Sequence, residues 1–188
     1  MADSVGTQKQ KIHPHKFTLW VAIASIIMMF AGLTSAYIVK GSMPGWVNVS
    51  VPTLFYFSTG VILASSLTMQ IALKNFRARE RQSYRNMISL TVALGVIFLI
   101  MQVVAFIQLY NGGVKLEGSG AGQFLYITFG LHGLHVLGGV IALIVILLRT
   151  FSSKIKNYSP VPVEVVTTYW HFVDVLWLYL FIFFLIRI

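Results

Sequence analysis

Apolar residues run through this chain in long unbroken stretches, and polar residues are confined mostly to the gaps between them. Five stretches stand out, at 17–39, 54–73, 87–110, 123–148 and 165–186. Each holds about 20 to 26 residues, and at ~1.5 Å rise per residue a helix of that length crosses a hydrocarbon core of roughly 30 Å. Lipid offers a bare backbone no hydrogen-bond partner, and spanning barrel strands would be half as long and polar on one face. The pattern therefore predicts an all-α, polytopic membrane protein, a bundle of five transmembrane helices. A cleaved secretory signal is the competing reading of the first stretch, which is longer than a typical signal core and is expected to be retained.

Composition supports this class. With 57% hydrophobic and 10% charged residues in 188, the chain has too little polar surface to coat a water-soluble globule. The expected layout is an N-terminal tail at 1–16 and a single helical domain at 17–188. Cysteine is absent, which removes disulfides, thiolate ligands and a cysteine nucleophile. No Gly-rich phosphate loop, HExxH or Ser-centred elbow occurs, and the Gly-rich "NGGVKLEGSGAG" at 111–122 reads as a plain turn on the outer side.

The net charge of +9 raises nucleic acid as a partner, but the placement of the charges points to the membrane instead. Lys9, Lys11 and Lys16 precede the first stretch. Lys74, Arg77, Arg79, Arg81 and Arg85 follow the second, and Arg149, Lys154 and Lys156 follow the fourth. Only Lys40, Lys115 and Arg187 fall on the other side of the weave. Positive loops stay in the cytoplasm, so the N-terminus is expected there and the C-terminus outside. Basic residues at these edges also favour anionic headgroups.

Small residues recur every four positions at Gly60, Ala64 and Thr68, at Gly32 and Ala36, and at Gly138 and Ala142. That spacing lets helices approach closely, either within this chain or against a partner, and internal packing is the expected use.

Ionisable groups inside the stretches are few. The fourth carries His132 and His135 and the fifth His171 and Asp174, each pair three residues apart, with Glu164 at the mouth of the fifth. Counting along the helices puts His135 roughly 12 Å from the inner edge, His171 about 10 Å and Asp174 about 15 Å from it. A charge at that depth costs at least ~2.5 kcal/mol, so a polar contact from His135 to His171 or Asp174 is expected. Three readings of the cluster stay open: a metal or haem site, a proton relay, and a structural clamp between helices.

Two motifs carry a resemblance. "YWHFVDVLW" (Tyr169, Trp170, His171, Phe172, Val173, Asp174, Val175 and Trp177) and "GLHGLHV" (Gly130, His132, Gly133, His135 and Val136) closely resemble the signatures of subunit III of the haem-copper terminal oxidases, and "LGVIFLIMQ" at 94–102 is similar to a third family stretch. The resemblance covers the chain from Phe17 onward.

It implies an accessory subunit of an aerobic oxidase, non-catalytic and without a redox centre or metal, in the bacterial inner membrane. Haem and copper would belong to partner subunits I and II. Packing on subunit I, assembly, phospholipid binding and proton uptake are the implied work. Oxidase subunits, phospholipid and other respiratory complexes are the implied partners, and nucleic acid is not among them. His132, His135, Glu164, His171 and Asp174 would form a structural or proton-related polar cluster, with Tyr169, Trp170, Trp177, Gly130 and Gly133 as signature packing.

This chain departs from the long seven-helix form, whose first two helices frame a lipid-filled cleft. It also has Ile26 where many members carry a buried, carbodiimide-reactive Glu, so no such labelling is expected at residue 26; Phe129 stands where Thr is common. The Tyr-Trp-His-Phe-Val-Asp signature favours the cytochrome c type over the alternatives, a quinol oxidase subunit III or a nitric oxide reductase accessory protein. A small transporter is the remote alternative from another class, although inverted repeats and broken helices are not evident.

Overall fold

A computed structural model describes residues 14–42, 52–114, 120–151 and 160–187. Among these residues there is no strand, and helices α1 (Pro14–Gly41), α2 (Leu54–Arg77), α3 (Arg81–Asn111), α4 (Gly120–Phe151) and α5 (Val161–Arg187) account for nearly all of the chain. All five are long and apolar enough to cross a membrane. They contain the five predicted stretches, and α2, α3, α4 and α5 run beyond them by up to a turn or two at the ends that carry Arg77, Arg81, Phe151 and Val161. Lys9, Lys11, Lys115, Lys154, Lys156, most of the predicted tail and the middle of the 111–122 turn lie outside the described residues.

Helices α2, α3, α4 and α5 form a closed ring in which each packs on the next and α5 returns to α2. Helix α1 stands outside it, in the groove between α4 and α5, and comes near neither α2 nor α3. The α2–α3 corner is tight. Arg79 takes a positive φ of 61°, and the N–H groups of Arg79 and Glu80 donate to the carbonyls of Phe76 and Asn75 at 3.1 and 3.0 Å. These bonds satisfy carbonyls that the end of α2 would otherwise leave bare.

The ring interior is aromatic, with Trp170, Trp177, Phe55, Phe98, Phe129 and Phe184 fully buried. The outer faces carry apolar side chains such as Leu67, Val103, Leu134 and Val175, the arrangement expected where hydrocarbon is the solvent.

The glycines of the small-residue stripes do not do the work expected of them, although Thr68 of the α2 stripe does meet Thr91 of α3 at 2.9 Å. A Cβ added at Gly32, Gly60 or Gly138 would meet no atom within 4 Å, so these residues face away from the bundle. Close approach occurs instead at Gly95 and Gly139. A Cβ at Gly95 would lie 2.9 Å from the Trp170 ring, and one at Gly139 would lie 3.0 Å from it. The spacing of small residues marks a helix face, whereas the bulk of one facing tryptophan decides which glycine is needed.

Candidate functional site

Helix α5 is the hub of the site because its 169–177 segment presents polar groups to two neighbouring helices. The Tyr169 hydroxyl donates to the His135 backbone carbonyl on α4 at 3.1 Å. Trp170 wedges between Gly95 of α3 and Gly139 of α4, and its indole N–H donates to Ser65 Oγ on α2 at 3.2 Å. Seven residues on, on the same face, Trp177 donates to Thr59 Oγ1 on α2 at 3.0 Å. Both tryptophans thereby bury their rings without stranding their one polar group.

His171 faces α2 and is half-buried there. Its Nδ1 lies 2.7 Å from Ser66 Oγ and its Nε2 lies 3.1 Å from Gln70 Oε1. Gln70 Oε1 can only accept, so Nε2 carries a hydrogen. A neutral ring then takes the Ser66 hydroxyl proton at Nδ1, which satisfies both nitrogens.

The expected link from His135 to His171 or Asp174 is not made. His135 Nδ1 instead donates to the Leu131 carbonyl of its own helix at 2.7 Å, and its ring packs edge-on against Phe30 of α1 at 5.8 Å. Three-residue spacing placed each pair on one helix face, but it could not say that α2 rather than α4 lies opposite His171.

Among the described residues, two of the predicted site side chains are buried without a well-formed hydrogen bond. His132 is enclosed by aromatic rings, with Trp177 at 5.3 Å and Phe30 and Phe98 each at 6.4 Å, and both ring nitrogens are unpartnered. Asp174 is 2% exposed and neither oxygen makes a hydrogen bond of good geometry, although Ser66, already engaged by His171, stands beside it.

Glu164 sits one residue before the apolar stretch of α5 and takes no part in this network. It accepts from Lys16 of α1 at 2.9 Å and from Arg77 of α2 at 3.1 Å, joining the ends of two helices that do not otherwise touch. The Lys16 hydrogen bond, helped by Arg77, holds its carboxyl below the ordinary value of 4.5.

The predicted residues thus divide into an α5–α2 set, two separate α4 histidines and a triad at the membrane edge. Among the described residues no three His, Cys, Asp or Glu side chains converge as a metal ligand set would. Gly130 and Gly133 are half-buried, and a Cβ added at either would meet no atom within 4 Å. Ser65, Ser66, Thr59 and Gln70 went unnoticed in the sequence as site residues. Their signal was there, as polar side chains inside an apolar stretch.

The "Cytochrome c oxidase subunit III" family model matches residues 14–187, essentially every residue that builds this arrangement. The chain belongs to the cytochrome c oxidase subunit III family. Among its relatives, the probable cytochrome c oxidase subunit 3 of Nocardia farcinica is 32% identical over 96% of this chain and 97% of its own length. Cytochrome c oxidase subunit 3 of Corynebacterium diphtheriae is 35% identical over 86% of this chain and 82% of its own. The cytochrome c oxidase subunit 3 of Pisaster ochraceus is 35% identical over 66% of this chain, but only 47% of its own length is matched. Membership makes the chain a multi-pass membrane subunit of an oxidoreductase, in a family without redox centres of its own.

Proposed function

We propose that this chain is the accessory subunit III of a bacterial cytochrome c oxidase in the cytoplasmic membrane, packed on catalytic subunit I, with haem and copper held by subunits I and II. The observation that carries this reading is the family match across residues 14–187. Its N-terminus faces the cytoplasm, because most of the basic residues cluster at the α1 start, the α2–α3 corner and the end of α4.

In this reading the 169–177 segment is a structural clamp. Support comes from its side-chain hydrogen bonds, each of which joins α5 to α2 or α4. A subunit so braced keeps a fixed surface for its catalytic partner, holds phospholipid, and sustains proton uptake at the inner side.

The test is purification of the affinity-tagged chain from its own membranes in mild detergent. A haem absorption spectrum should co-purify in stoichiometric amount. Isolation of the chain free of any haem-bearing partner would defeat the proposal.

A further inference from the structure

Three exposed groups lie towards the end of α2 at the membrane edge: Gln70, Lys74 and Arg77, at spacings of four and three residues and so on one face of the helix. Together with Ile71 and Leu73 they line a groove of about 300 Å³. The apolar stretch of α2 ends at residue 73, which sets Gln70 just inside the hydrocarbon boundary and Lys74 and Arg77 at headgroup level.

The outward chemistry of this groove is that of hydrogen-bond donors. Gln70 spends its Oε1 on His171, which turns the amide nitrogen and its two hydrogens away from that ring. Arg77 gives Nη2 to Glu164, leaving the rest of its guanidinium fork. Lys74 is exposed and stands outside the Glu164 triad. A ligand that satisfies this set has several acceptor oxygens and negative charge, with an apolar portion to lie along Ile71 and the exposed Leu67 beyond it.

We propose that the groove binds the phosphate of an anionic phospholipid, with Lys74 and Arg77 on the oxyanion and Gln70 donating to a glycerol ester carbonyl. Its position at the polar–apolar boundary favours a lipid over a free phosphate, since Ile71 and the exposed Leu67 have nothing to offer a small soluble ion. His171 is then a positioning residue, fixing the amide through which the site reaches below the headgroup. The inference deepens the phospholipid part of the proposed function and rests on it.

The experiment uses the intact complex, delipidated in detergent and titrated with phosphatidylglycerol, phosphatidylcholine or sodium phosphate, with bound lipid read by native mass spectrometry. Lys74→Gln should weaken one phosphatidylglycerol site roughly fivefold, the effect of removing one interfacial cation. Gln70→Leu should weaken it too, and phosphatidylcholine binding should not respond to Lys74→Gln. Equal phosphatidylglycerol affinity in Lys74→Gln and the unmodified complex would overturn the site. Displacement of the lipid by equimolar sodium phosphate would reassign it to a soluble anion and overturn it equally. The haem spectrum recorded on the same samples separates the two proposals: haem retained with lipid response absent sinks only the groove, whereas haem lost sinks the subunit assignment.

Discussion

His171 shows what one side chain can decide in a membrane bundle. Its ring engages Ser66 and Gln70, so α5 is tied to α2 by two bonds from a single residue. Interhelical hydrogen bonds in lipid average about 0.6 kcal/mol each and reach about 1.7. His171→Phe should therefore weaken the α2–α5 contact by about 1–2 kcal/mol, seen as loss of this subunit from the detergent-solubilised complex at a lower temperature. Its haem spectrum should stay unchanged; a fall in turnover with assembly intact would instead favour a proton relay. The special status of His171 and Asp174 is legible in the sequence from their presence in an apolar stretch. Their partners were not, because helical spacing fixes the direction of a side chain from its own axis and says nothing about which helix stands there. Serines and a glutamine in α2 were the better clue.

At the scale of helices, apolar length alone located all five spans, and the lipid's refusal of bare backbone explains why that signal is so strong. Close packing was less readable. Gly95 and Gly139 yield space to Trp170, whereas a Cβ at Gly133 or at the glycines of the small-residue stripes would meet no atom within 4 Å. Gly95→Ala should cost about 1–3 kcal/mol by overpacking against the indole and the Val140 methyl 3.0 Å away, measured as a lowered melting temperature of the purified complex. Gly133→Ala should leave that temperature within error. A glycine's role is set by the residue across from it, and this chain distributes its glycines over both kinds of position.

For the whole molecule, α1 is the loosely held element. Among the described residues it packs only on α4 and α5, and its end is fastened by Lys16 to Glu164. The lowered carboxyl of Glu164 fixes the sign of the pH response: the pair contributes fully above about 4.5 and is lost as pH falls through the still lower value of the folded state. Distances between spin labels on the ends of α1 and α2 should thus hold from pH 7 to 5 and widen only in stronger acid. Glu164→Gln should widen them at pH 7. The absence of cysteine leaves the chain free of background labelling sites for this measurement. Ring and outrigger also have a meaning in time. Synthesis delivers α1 first and its only partners last, so the first helix enters the bilayer alone and remains without a docking site until α4 and α5 have been made. Among the described residues α2 and α3 make no contact with it, and its long apolar surface keeps it in lipid until the end of translation supplies its seat.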